Sequence, residues 1–214
     1  MSLDKFSVSI KGIICKNSKV LLRKNQRKEY ELIGGKLDIN DISPQERLCK
    51  EFYEESGAFI DVLGLRHPWL YLIGSKNILI VPYICELSSI DTEHTDEDGG
   101  QIAWLDKNDI DSLFLPVGYN DSISGRIPRT SFSPIEGDFF KIIPNYKESD
   151  YYVKVTVASI KGIILLDRYL THYISPIDLI QQGLNGVDIE LLYPLELKKS
   201  NDTVTIKYIY LGQN

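Results

Sequence analysis

Glu51, Glu54 and Glu55 stand at i, i+3 and i+4 in a stretch of helical apolar spacing, which puts three carboxylates on one face of a helix. Like charges at that spacing weaken a helix by roughly a few tenths of a kcal/mol per pair unless cations neutralise them. Their oxygens are hard ligands that suit Mg²⁺ or Mn²⁺, ions that characteristically bridge to the phosphates of a substrate. Taken alone, three such glutamates read as a solvated acidic face, so their surroundings decide between the two readings.

Those surroundings are specific. Ser43-Pro44-Gln45-Glu46 is a strong helix start, with Ser at the N-cap, Pro at the first helical position and Glu three residues after Ser. The helix is expected to end near Gly57 and to pack on a sheet through Leu48, Cys49 and Phe52, with Gln45 and Ser56 extending that stripe. Before it, residues 30–33 read as a short strand stopped by Gly34-Gly35, where two residues without Cβ allow a tight turn or a close backbone approach. Residues 6–15 and 20–23 are β-rich and flank a polar turn, the pattern of a hairpin. Further strands are expected at 59–65, 69–73, 78–87 and 101–105, and helical turns at 108–113 and 118–124.

The string from Gly34 through Gly57 resembles the Nudix box, G-x5-E-x7-R-E-U-x-E-E-x-G-U, in which U is a bulky aliphatic residue. Gly35 matches the first box glycine, Asp41 stands where the first Glu belongs, and Lys50-Glu51 replaces Arg-Glu. Phe52 fills the apolar site, Glu54-Glu55-x-Gly57 is intact, and Ala58 follows in place of a larger residue. One extra residue separates Asp41 from Lys50, and the helix start at Ser43-Pro44 places it in the loop at 40–42. Tyr30-Glu31-Leu32-Ile33-Gly34-Gly35-Lys36 is similar to the strand end that precedes the box in the family, and residues 101–105 and 113–119 to its closing strand and helix.

The resemblance implies an α+β Nudix-like α/β/α sandwich with a mixed sheet over residues 1–127. It also implies Mg²⁺-dependent cleavage, with Mn²⁺ as a substitute, of a pyrophosphate bond in a nucleoside triphosphate, ADP-ribose or a related conjugate. Metal binding and catalysis would fall to Glu51, Glu54 and Glu55, with the Gly34 carbonyl as a further ligand. Glu97, in the acidic loop before the closing strand, stands where the family often has a further carboxylate; a plain solvated loop is the competing reading. Arg23 and Lys36 sit where the family contacts phosphates, and Tyr30 beside them is the third expected substrate contact. The other reading is a Nudix-derived nucleotide sensor that binds without efficient turnover. No proline or tyrosine falls about 16 to 18 residues beyond Gly57, so the substrate subclass stays open.

The whole chain sets bounds on these readings. Its 214 residues, 43% hydrophobic and 25% charged, are ordinary globular composition with room for a sizeable core. The net charge of −6 is spread along the chain and argues against a nucleic-acid-coating surface; bound divalent ions would invert the field locally for an anionic substrate. Cys15, Cys49 and Cys85 form no C-x-x-C pair and sit in apolar segments, which reads as buried, reduced thiols and suits the cytoplasm. The start of the chain lacks a signal-peptide pattern, and no apolar run approaches the roughly 20 residues of a membrane helix. His67, His94 and His172 are too scattered for a histidine metal site, and Trp69 and Tyr71 alternate on a strand where core packing outweighs base stacking.

From about residue 128 the pattern changes to a proline-punctuated connection followed by strands at 151–166, 187–197 and 203–211, with a short helix at 176–182. This β-rich extension, 128–214, has no recognisable catalytic constellation. Residues 131–214 carry 8 Lys/Arg against 10 Asp/Glu, which disfavours DNA binding and leaves a protein-binding surface, a homodimer contact or a substrate cap as roles. The word Ser-Ile-Lys-Gly-Ile-Ile occurs at 9–14 and 159–164, but its flanks do not continue the match.

Overall fold

A computed structural model of the chain describes residues 3–26, 28–73, 76–94, 100–132 and 150–212. In chain order they form β1 (Lys5–Lys16), β2 (Lys19–Lys24), β3 (Tyr30–Glu31), α1 (Pro44–Ser56), β4 (Ala58–Leu65), β5 (Trp69–Ile73) and β6 (Lys76–Ile90). There follow β7 (Gln101–Asp106), a 3₁₀ turn (Lys107–Ser112), α2 (Val117–Ser124), β8 (Ser131–Phe132), β9 (Asp150–Ser159), β10 (Ile164–Tyr169), α3 (Pro176–Gly183), β11 (Leu192–Ser200) and β12 (Thr203–Tyr210). The architecture is α+β with a mixed sheet: β1 pairs with β6, β12 with β9 and β5 with β8 in parallel, and the remaining ladders are antiparallel.

The period of two along the strands sorts the apolar residues onto two faces. Val8, Ile10 and Ile14 of β1, with Leu79, Val81 and Tyr83 of β6, face Leu48 and Phe52 of α1. Ile13, Ile80, Trp69 and Tyr71 point to the other face and pack with Tyr119 and Ile123 of α2. Trp69 and Tyr71 are thus core residues, and Gly118 presents its bare Cα to the Trp69 ring, where a Cβ would lie 2.5 Å from it. In the extension, Tyr151, Val153, Val155 and Val157 of β9 and Val204, Ile206 and Tyr208 of β12 join the α1 face, together with Ile177 and Ile180 of α3.

The strand β9 reaches the site-bearing part of the sheet directly. Ser7 pairs with Ile78 of β6 on one side and with Asp150 of β9 on the other. Along that second edge the glycine segment takes over: Ile10 N–H donates to the Gly35 carbonyl and Gly12 N–H to the Ile33 carbonyl, both at 2.9 Å, and Leu37 N–H to the Val8 carbonyl at 2.9 Å. Extension and glycine turn therefore share one edge of β1.

Several expectations shift in detail. The stretch 151–166 is two strands, since Gly162 takes a left-handed φ of 79° and turns the chain back. The repeated word is accordingly continuous, largely buried strand at 9–14, whereas at 159–164 it runs from the end of β9 through an exposed turn at 160–163 into β10, one sequence in two conformations set by context. The helix expected at 108–113 is the 3₁₀ turn, and β11 begins only after a second 3₁₀ turn at Ile189–Leu191. Cys15, expected to be buried, is exposed at the end of β1 beside the polar turn; Cys49 is half-buried and Cys85 buried, and all three are free. Burial pushes the Cys85 thiol up to about 12.

Candidate functional site

Local chemistry sets up α1 as its sequence indicates. Ser43 Oγ accepts the Glu46 N–H at 3.1 Å, Pro44 opens the first turn, and Gly57 closes the helix at φ 63° with its N–H on the Tyr53 carbonyl. The buried positions are Pro44, Leu48, Glu51 and Phe52, while Gln45, placed on the apolar stripe by its spacing, is exposed.

That rotation of the helix divides the three glutamates. The Glu51 side chain turns inward against the glycine turn, so closely that a Cβ on Gly35 would lie 2.2 Å from its carboxyl carbon. Arg47, one turn earlier, donates through Nη2 to Glu51 Oε1, and its Nε lies 3.9 Å from Asp41 Oδ2. Lys50, which occupies the box arginine's place in the sequence, instead lies 3.6 Å from Glu54 on the exposed side. Arg47, four residues before Glu51 and given no role by the box comparison, thus supplies the cation that reaches Glu51. Glu54 is half-exposed, and its backbone carbonyl meets His94 Nε2 at 2.8 Å.

Glu55 enters a buried network that sequence reading found only in part. Its Oε2 accepts the Gly34 N–H at 3.1 Å and its Oε1 lies 3.1 Å from Arg23 Nη1. Arg23 also lies 3.8 Å from Glu31. Lys11, absent from the expected site, is almost fully buried here: its Nζ donates to the Gly34 carbonyl at 2.5 Å and lies 3.3 Å from Glu31 Oε2. Little in the sequence marks it, because Lys11 continues the polar alternation of Ser7 and Ser9 along β1; only its burial, which a lysine rarely shows without a carboxylate or carbonyl to hold it, sets it apart. Gly34 itself adopts φ 131°, and a Cβ there would meet the Ile10 carbonyl at 2.3 Å. Both glycines are required, one for its backbone angle and one for the carboxylate pressed against it.

Tyr30 begins β3 beside these groups, with Lys24 Nζ 5.5 Å from its ring centroid, and Lys36 is half-buried in a bridge with Ser9. Glu97 lies outside the described residues. Among the described residues, no group of three or more His, Cys, Asp or Glu side chains is gathered as a metal site, because Glu51 and Glu55 face arginines and Glu54 faces solvent. The donors nevertheless fit a divalent cation in kind. Burial raises the carboxyls of Glu51 and Glu55, the latter to about 7, against the lowering effect of their cationic neighbours. Their cationic neighbours thus do not fully offset the desolvation, a balance that a bound divalent ion would shift towards the charged form.

Glu55 and His67 predict an unusual dependence of metal-free stability on pH. Glu55 is raised in the folded chain, so its contribution is present below its unfolded pKa of 4.5 and is lost as pH rises through about 7. His67, buried beside Arg66, is lowered from 6.5 to about 4, so its contribution is present above 6.5 and is lost as pH falls through 4. Each shift corresponds to roughly 3 kcal/mol, and the two slopes oppose each other between about pH 4.5 and 6.5. Glu51, raised by burial in the same direction as Glu55, adds to the falling slope, so Glu55 and His67 are read by difference. Relative to the wild type, urea unfolding in EDTA should show the stability of Glu55→Gln climbing with pH across that window and that of His67→Asn declining. Parallel profiles for the three proteins would contradict the assignment.

No family model and no curated protein matches the chain. Solved structures similar to parts of it are Nudix and MutT hydrolases. One is a Nudix hydrolase from Nitrosomonas europaea, 19% identical over 50% of this chain and 77% of that one, with a TM-score of 0.47. Another is an ADP-ribose pyrophosphatase from Streptococcus suis, 17% identical over 59% and 98%, at 0.45. A MutT protein from Bacillus halodurans is 15% identical over 77% and 97%, at 0.46. Among the described residues, no helix is long and apolar enough to cross a membrane.

Proposed function

We propose that the chain is a Nudix-type hydrolase that cleaves a pyrophosphate bond in a nucleoside diphosphate derivative with the help of Mg²⁺ or Mn²⁺. The observation that carries this reading is the contact of the Glu51 carboxylate with the bare Cα of Gly35, which locks the glycine turn and the glutamate helix into one unit. Glu51, Glu54 and Glu55 would hold the ion, with the Gly34 carbonyl beside them. Bound there, such an ion supplies charge to the diphosphate and lowers the pKa of a water nucleophile. The chain's own part is to position. Arg47 holds Glu51, Arg23 and the Gly34 N–H hold Glu55, and Lys11 holds the turn from beneath. Arg23, Tyr30 and Lys36 are the proposed substrate contacts, and Glu97 the proposed proton acceptor. Residues 1–127 would form the hydrolase unit.

One observation favours a second reading. The Gly34 carbonyl already carries the Lys11 ammonium, and Glu51 and Glu55 already face arginines, which suits a nucleotide sensor of low turnover. A single assay separates the two: the purified chain with Mg²⁺, Mn²⁺ or EDTA, tested on nucleoside triphosphates, ADP-ribose, NADH, sugar nucleotides and dinucleoside polyphosphates. A hydrolase turns over at least one of them, only with metal, and Glu54→Gln lowers that turnover about tenfold or more without loss of folding, because Glu54 is half-exposed. Tight binding without metal-dependent turnover would establish the sensor, and undiminished turnover in Glu54→Gln would remove Glu54 from the site.

A further inference from the structure

Among the described residues, Lys199 of the extension hydrogen-bonds to the loop that leads into the site helix. Lys199, half-buried near the end of β11, reaches back across some 160 positions of sequence to the loop before α1. Its Nζ donates to the Ile39 carbonyl at 2.6 Å and to the Asp41 carbonyl at 2.8 Å. This is the loop that carries the extra residue relative to the box.

The loop's internal bonds are short-range. Asp41 Oδ2 accepts the Asp38 N–H at 2.6 Å, Asp38 Oδ1 accepts the Asn40 N–H at 2.9 Å, and the Asp41 N–H donates to the Asp38 carbonyl at 3.2 Å. These bonds wind the loop upon itself and do not fix it to the rest of the protein. Ile39 and Ile42 are exposed, so apolar packing at those two positions does not fix it either. The ammonium of Lys199, with three donors and no acceptor, is suited to bind two carbonyls two residues apart. Beyond Asp41 the path continues to Arg47 and from Arg47 to Glu51.

We infer that Lys199 is a positioning residue for the metal-binding carboxylates, acting through Asp41 and Arg47, so that the extension is a working part of the site. The inference rests on the hydrolase reading. Its physical basis is that a displacement of about 1 Å, passed on to a reacting group, costs on the order of 100-fold in rate, and that groups which orient metal ligands typically contribute 10–100-fold in metal affinity. β11 is the right element for the purpose, since it lies against α1 and β4 and buries Leu197 in the same cluster as Leu48.

The test uses the full chain and Mn²⁺ alone as the first probe, followed by turnover of the best compound from the panel. Lys199→Met keeps the aliphatic stem and removes the donors; Lys199→Arg keeps the donors. Lys198→Met removes the exposed neighbour, which lies 3.6 Å from Glu196. Lys199→Met should weaken Mn²⁺ binding, followed by electron paramagnetic resonance, about 10–100-fold and lower kcat about tenfold with KM little changed. Lys199→Arg should recover most of both, Lys198→Met should match the wild type, and all melting midpoints should stay close together. Should Lys199→Met fail to fold, Lys199→Gln is read in its place by the same criteria. Wild-type Mn²⁺ affinity and kcat in the substituted chain would overturn the role of Lys199, as would a loss that Lys199→Arg does not repair. A wild-type chain that neither binds Mn²⁺ nor turns over any compound would instead defeat the hydrolase reading itself.

Discussion

On the proposed hydrolase function, Glu51→Gln is expected to lower metal-dependent kcat/KM by about 10³-fold, because several kcal/mol of charge stabilisation would then depend on a carboxylate that is no longer there. Two cations then distinguish the site's real connectivity from that of the motif. Arg47→Ala should cost about 10–100-fold, the usual effect of removing a group that orients a ligand, since Arg47 donates to Glu51 and lies 3.9 Å from Asp41. Lys50→Ala should leave kcat/KM unchanged and alter stability by only about 0.3–0.5 kcal/mol, the worth of an exposed i,i+4 pair. A Michaelis analysis of the three variants, with melting curves as folding controls, decides the matter. Equal losses in Arg47→Ala and Lys50→Ala, or a larger loss in Lys50→Ala, would contradict the path from Asp41 through Arg47 to Glu51.

The part played by Arg47 shows where sequence reading reaches its limit. The helix itself was legible because its signals are local: Ser43 caps Glu46, Pro44 starts the first turn, and Gly57 supplies the left-handed residue that ends it. The strand alternation was equally legible, and so was the placement of Trp69 and Tyr71 in the core. Arg47 was present in the sequence four residues before Glu51, yet the box comparison marked only Lys50, in the arginine's place, and gave Arg47 no role. Only the rotation of α1, with Glu51 inward and Lys50 outward, shows which cation reaches the carboxylate.

Non-local pairing hid the rest. Lys11 meets Gly34 and Glu31 because β1 forms a ladder with the glycine segment, and no spacing within either segment announces it. Lys199 meets the box loop because β9 takes the same edge of β1 and brings β12 and β11 alongside. The sequence marked residues 128–214 as β-rich, but which edge those strands occupy depends on what the rest of the sheet leaves open. Cys15 failed for a simpler reason. Its neighbours are apolar, but its place at the end of β1 exposes it.

Gly35→Ala tests the contact on which the proposed function rests, and its effect should be as large as that of Glu51→Gln. The added methyl would lie 2.2 to 2.4 Å from the carboxyl atoms of Glu51, a distance at which one of the two must move. Either the carboxylate swings away from the turn or the turn shifts from the ladder with β1, and each removes Glu51 from its position against Gly35. Loss of kcat/KM by about 10²–10³-fold should follow, together with destabilisation of about 1–3 kcal/mol from overpacking. The cause is then identified by adding Glu51→Ala to Gly35→Ala. Shortening the side chain removes the overlap, so urea unfolding should show much of the lost stability restored while activity stays absent. If the double variant is no more stable than Gly35→Ala, the strain lies in the backbone of the turn and not against the carboxylate. Gly35 would then be required for its conformation alone, although its φ, unlike that of Gly34, lies outside the left-handed range that only glycine readily adopts.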